Sequence, residues 1–172
     1  MRREKILYVS IDGEPDSDCA LVDVAVNSER FVGARALWRA AYISEIVVAS
    51  ASPEAVGLSS IAGLLDPVER SAPHGLHVRL APPGEAGTVL TVPLAPGLMA
   101  PVGVVESRRV EPGESVELEP QVGSLALDGE REIELGPQNE VKVRLESNGP
   151  LTINVVEVMR EAARRGLLNG AP

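Results

Sequence analysis

The most constraining feature of this chain is its punctuation. Short runs rich in Val, Leu and Ile are broken every few residues by Gly or Pro, of which there are 16 and 14. KILYVSI (5–11), ALVDVAV (20–26), EIVVAS (45–50), LHVRLA (76–81) and TVLTVPL (88–94) read as strands, because β-branched side chains fit a pleated, half-buried surface. VGVVESRRV (102–110), ESVELEP (114–120), EVKVRLE (140–146) and LTINVVEV (151–158) continue the series. GEPDSD, PPGEAG, PGE and SNGP read as the turns between them. The clearest local signal is SLALDGEREIEL (124–135), two runs flanking Asp128-Gly129. An Asp-Gly pair suits a type I′ hairpin, whose two central residues both need φ > 0. PLAPGLMAPVG (93–103) reads as a loop, mobile or at an interface.

Helical patterns are few. GARALWRAA (33–41) reads as a short helix, and VVEVMREAARRGLL (155–168) has apolar spacing at Val155, Val158, Met159, Ala162 and Ala163 before a Gly stop. The expected architecture is therefore a mainly β, antiparallel sandwich over residues 1–172, with a short helix after Ser52 and one near the C-terminus.

Composition narrows the functional classes. Aromatics are 2% of the residues, so the core has to be aliphatic and a surface for stacking nucleobases is not expected. The net charge of −9 argues against a nucleic-acid backbone or an anionic membrane as partner. Arg108-Arg109 and Arg164-Arg165 read as solvated pairs. Cys19 is the only cysteine, which rules out an intramolecular disulfide and a Cys-based zinc site. No apolar run approaches a membrane span, and the N-terminal stretch MRREKILYVSIDGEPD lacks the apolar core of a signal peptide, so the cytoplasm is the expected compartment.

The stretch SASPEAVGLSSIAG (50–63) is the main candidate for chemistry. Ser52-Pro53 reads as an N-cap followed by proline at the first helical position, with Gly57, Ser59 and Ser60 keeping the turn small and Gly63 as a stop. Such a helix start can hold an anion, yet Glu54 in the first turn already answers the dipole and favours a neutral or hydroxyl-bearing ligand part. The alternative is close backbone packing without a ligand. Asp23, inside an apolar run, is either solvent-facing or buried where it could accept ribose hydroxyls. His74 and His77 read as loop histidines rather than metal ligands. No phosphate-binding loop and no lysine accompanies the candidate site in the sequence.

Three segments carry a likeness to a known family. LVDVAVNSERFVGARALW, EIVVASASPEAVGLSSIAGLLDPV and GSLALDGEREIEL, in that order, resemble the C-terminal part of the ATP-NAD kinase superfamily. The nearest branch is the NAD kinase-like group placed with acetoin catabolism protein X. The likeness covers roughly residues 19 to 160. It implies that Leu21, Val22 and Asp23 fall on the family's Leu-Asn-Glu strand motif, and that the stretch from Ser52-Pro53 falls on its Thr-Pro-Thr-Gly-Ser-Thr-Ala-Tyr turn. The family's Asp-Gly hairpin falls on Asp128-Gly129. The implied ligand-contacting residues are Asp23, Ser52, Gly57, Ser59 and Ser60, with NAD the implied ligand. Val22 and Glu54 depart from the family residues, and the turn's aromatic is missing. The family's Gly-Gly-Asp-Gly motif and N-terminal catalytic α/β domain are absent, Asp12-Gly13 being only a fragment of such a motif.

Three functions are compatible with this pattern. One is a stand-alone binding module for a nucleotide or small metabolite, without kinase activity of its own and with no catalytic residue assigned. The second is the non-catalytic half of a split kinase, completed by a separate α/β-domain chain. The third is a structural or regulatory oligomer that has lost the ligand site. In each case a homo-oligomer is expected, and no metal site is predicted.

Overall fold

The computed structural model describes residues 1–28, 40–119, 122–167 and 169. The helix expected over 33–41 lies outside them except for its last two residues, which belong to a 3-10 turn at Ala40–Tyr42. The described chain is mainly antiparallel β. Its strands are β1 (Arg2–Arg3), β2 (Ile6–Ile11), β3 (Glu14–Ala20), β4 (Asp23–Asn27), β5 (Ile43–Val48), β6 (Gly75–Ala81) and β7 (Thr88–Ala95). They continue with β8 (Leu98–Val110), β9 (Ser115–Leu118), β10 (Gly123–Leu127), β11 (Arg131–Leu135), β12 (Val141–Glu146) and β13 (Leu151–Thr152). Two helices complete the fold, α1 (Ser59–Leu65) and α2 (Val155–Arg164).

A seven-stranded sheet in the order β11-β10-β4-β5-β6-β8-β7 faces a four-stranded sheet in the order β3-β2-β12-β9. The aliphatic composition explains how they join. Leu7, Val9, Val143 and Leu145 of the small sheet interdigitate with Val24, Val26, Leu125 and Leu127 of the large one, and all are fully buried. A second core lies on the outer face of the large sheet. There Ile46, Val48, Val78 and Val92 pack under α1 through Ile61 and Ala62. The large sheet is thus apolar on both faces, which is why its strands read as near-continuous hydrophobic runs.

The chain passes from the small sheet to the large one at Leu21-Val22, between β3 and β4. The Asp128 carboxylate holds this corner by accepting the backbone N–H groups of Leu21 (2.9 Å), Val22 (2.7 Å) and Asp23 (3.1 Å). Asp128 and Gly129 have φ of 53° and 67°, as the type I′ reading requires, and the Glu130 N–H closes the turn on the Leu127 carbonyl. Pairing resumes at Leu127 and Arg131, so the loop is one residue longer than a two-residue hairpin.

Three local expectations need correction. GEPDSD is not a turn: Asp12-Gly13 turns the chain and β3 begins at Glu14. Acids and a proline are tolerated there because β3 is an edge strand with its first residues in solvent. PLAPGLMAPVG is not a loop but the tip of the β7–β8 hairpin, turned at Pro96-Gly97 with Gly97 at φ 78°. LTINVVEV is strand only at Leu151–Thr152, because the Asn154 side chain caps α2 by accepting the Glu157 N–H at 3.2 Å.

Replacing Asp128 with alanine strands these three donors, two of which are partly buried. Asp128→Ala should therefore lose about 1–3 kcal/mol in urea denaturation, with the native far-UV spectrum retained.

Candidate functional site

The connection from β5 to α1 does not form the expected N-capped helix. Ser52-Pro53 lies in an irregular turn, and α1 begins only at Ser59 after Leu58, with no side-chain cap. The Ser52 hydroxyl instead bonds the Glu54 carboxylate, which also takes its own N–H, and together these hold Glu54 below its ordinary range. Gly63 is not a helix stop. It is buried within α1, and a Cβ there would lie 2.4 Å from the backbone C and O of Ser52. The close-packing reading is correct for this end of the stretch. Gly57, at φ 105°, donates its N–H to the Pro93 carbonyl at 2.9 Å and so ties the turn to β7. Ser60 is fully buried and donates its hydroxyl to the Gly57 carbonyl at 2.6 Å.

The other end of the stretch is open. Residues 50–55 and 67–71, joined to each other by the Ala51–Val68 bridge, line a cavity of about 550 Å3. That volume is typical of small-molecule sites, roughly 300–1,000 Å3. Ser52 and Ser59 line it, with Arg2, Arg70, Glu54 and Glu69. Arg2 is held by Glu4 at 2.9 Å, whereas Arg70 makes no hydrogen bond or ion pair among the described residues. Of the five residues expected at the site, only Ser52 and Ser59 reach the cavity. Gly57, Ser60 and Asp23 do not line it, although Val22, beside Asp23, does.

Sequence reasoning missed the two arginines and Lys5. Arg2 and Arg70 meet only through folding, and nothing in their spacing marks them. Lys5 does not itself line the cavity. It is buried, donates to the backbone carbonyls of His74 (2.6 Å) and Glu69 (3.3 Å), and so anchors the 67–71 segment. Burial lowers its ammonium to about 8, against the opposing pull of Glu4.

His74 lies outside any helix or strand, as expected, but the other histidine does not. His77 is not in a loop but buried on β6, where its Nε2 meets the Glu45 carboxylate at 2.8 Å. Glu45 accepts the Glu119 N–H as well, at 3.0 Å. Burial pulls the Glu45 carboxyl upward, but these hydrogen bonds and the Arg79 charge outweigh it and hold the group below the ordinary range. This pair is a strut between β5, β6 and the end of β9. No group of three or more His, Cys, Asp or Glu able to hold a metal ion occurs among the described residues.

Asp23 resolves toward the buried alternative. It is 8% exposed, on the face of the large sheet that carries α1, and no described residue donates to its carboxylate. Burial and the neighbouring Asp128 carboxylate push it up to about 6. The folded chain therefore keeps a proton that the unfolded chain releases near pH 3.8. The Asp23 contribution to stability is therefore greatest below that pH and is lost as pH rises through 6. Asp23→Asn should raise stability by about 1–3 kcal/mol at neutral pH and change it little near pH 3.5, as thermal melts at both pH values would show.

Comparison with known proteins follows the same outline. Residues 5–148 match the acetoin catabolism protein X C-terminal domain. A curated relative, acetoin catabolism protein X of Cupriavidus necator, is 46% identical over 155 residues. That match covers 90% of this chain but 43% of the relative, so the chain spans less than half of the relative's length. No solved structure matches. With most of its length matched by the family, the chain belongs to the acetoin catabolism protein X C-terminal domain family.

Proposed function

We propose that this chain is a binding module of NAD kinase-like type that holds a nucleotide or small hydroxyl-rich metabolite, without phosphoryl transfer of its own. The observation that carries this reading is the cavity between residues 50–55 and 67–71. The Ser59 hydroxyl offers a neutral donor and acceptor, and the Arg70 guanidinium, which acts on Glu4 through its charge but makes no hydrogen bond among the described residues, offers a charge-assisted fork for a phosphate or carboxylate. A dinucleotide such as NAD is the ligand this reading expects there. It would be held by polar contacts and not by stacking, since no aromatic side chain among the described residues lines the cavity. The buried, unpaired Asp23 beside the lining residue Val22 adds support, because strongly shifted groups cluster at functional sites.

A second reading is the non-catalytic half of a two-part enzyme. It is favoured by the 43% coverage of the relative, which leaves room there for at least one further domain. In that case the cavity would be completed by a separate α/β-domain chain. The burial of Asp23 and the internal bond of Ser60 favour a third reading, in which the family's ligand turn is closed and the domain serves assembly.

Isothermal titration tests the first reading against the other two. Saturable NAD binding, weakened about 10-fold in Arg70→Ala, supports the binding module. Absence of heat at millimolar NAD, ATP and related nucleotides removes it and leaves the other two. Purified protein given ATP and NAD should form no NADP; turnover that disappears in Asp23→Ala would reverse the non-catalytic assignment.

A further inference from the structure

The C-terminal helix is built to be covered, yet none of the described residues buries it. No residue of α2 is buried. At 100° per residue, Val155, Val156, Val158, Met159, Ala162 and Ala163 fall within one arc of the helix, and Glu157, Arg160, Glu161, Arg164 and Arg165 fill the other. Leu151 and Ile153 precede the helix and Leu167 follows it. These seven large apolar side chains are between 49% and 70% exposed, and they make up half of the exposed large hydrophobics described in the chain. A ten-residue helix with three valines is only marginally stable in water without a packing partner.

We infer that a second copy of this chain covers α2, in an antiparallel, two-fold helix pair centred near Met159. Three observations select this occupant. The first is area. Seven large side chains at this exposure present on the order of 700 Å2, close to the roughly 800 Å2 that each partner contributes to a standard interface. The second is shape. The bulky residues lie in the first half of the segment and the small ones in the second, so antiparallel pairing sets Val155 and Val156 over the partner copy's small half at Ala162 and Ala163. The same register brings Leu151 toward Leu167 and Met159 toward its own equivalent. A surface that complements itself after reversal meets the requirement of an isologous interface. The third is charge. The chain carries −9 overall, which opposes docking on an anionic membrane. On α2 itself, Glu161 already binds Arg164 and Arg165 within the helix, at 2.7 Å and 2.6 Å, so these charges can stay in solvent on the outer face.

The pairing does not depend on the ligand reading, because α2 is not among the elements that line the cavity. Sedimentation equilibrium on the purified chain should give twice the 18.1 kDa protomer mass at micromolar concentration. Val155→Glu combined with Met159→Glu should weaken association at least about 100-fold by burying unpaired carboxylates. Val89→Glu, at an exposed apolar position on β7, should leave the dimer intact. Met159→Cys in a Cys19→Ser background should form a covalent dimer under mild oxidation, a readout that does not depend on the charged variant folding. A monomeric wild-type chain overturns the inference. So does a dimer that resists the double substitution, is dissociated by Val89→Glu, or gives no cross-link through position 159.

Discussion

A single carboxylate holds one of the corners at which the chain changes sheets. Two packed sheets leave every strand-to-strand crossing with backbone N–H groups that neither ladder can pair. At Leu21-Val22 the Asp128 side chain accepts these groups, with the next N–H at Asp23. The residue that does this also supplies the positive φ of the β10–β11 hairpin, so one Asp serves two turns far apart in sequence. The arrangement has an electrostatic consequence. Fixing the Asp128 charge beside β4 raises the energy of an ionised Asp23, and burial raises it further. The corner that stabilises the sandwich therefore places a reluctant acid next to the cavity wall at Val22.

A core with almost no aromatic side chains has to reach its density by bringing backbones close together. Glycines make this contact at several crossings. A Cβ on Gly123 would fall 1.9 Å from the Asn27 carbonyl oxygen, and one on Gly75 would fall 2.5 Å from that of Val48. Gly63 does the same between α1 and the Ser52 backbone. The small residues of the 50–63 stretch thus have a packing origin at one end and a cavity at the other. The two readings of that stretch divide along its length: Gly57, Ser60 and Gly63 are spent on internal contacts, whereas Ser59 and the Glu54-bonded Ser52 line the cavity.

The strands were legible because their signal is local. β2, β5, β6, β7 and β12 fall within a few residues of the runs that announced them, and Asp128-Gly129 turns as its chemistry requires. What was not legible depends on pairing. β3 is acidic and contains a proline, and it is a strand only because β2 offers an edge to it. PLAPGLMAPVG contains three prolines and folds as a hairpin because β8 runs for 13 residues and supports both neighbours. The site was half legible for the same reason. Ser52 and Ser59 belong to a recognisable turn. Arg2 and Arg70 arrive from separate segments, and only the closed sandwich brings them together.

The way those segments meet bears on how a ligand would be felt by the rest of the chain. Lys5 fastens the wall at Glu69 to the start of β2, and Arg2, on the opposite side of Glu4, reaches into the same cavity. β1, which carries Arg2, is paired only with β13, and β13 leads within two residues to the cap of α2. A two-stranded ribbon of two residues each is held by few hydrogen bonds, so its geometry follows whatever engages its ends. A ligand that draws Arg2 away from Glu4 acts on β1, and a partner copy that fixes α2 acts on β13. Among the described residues the ribbon therefore lies between the cavity-lining Arg2 and the helix proposed for assembly, through the Arg2–Thr152 and Arg3–Leu151 pairs.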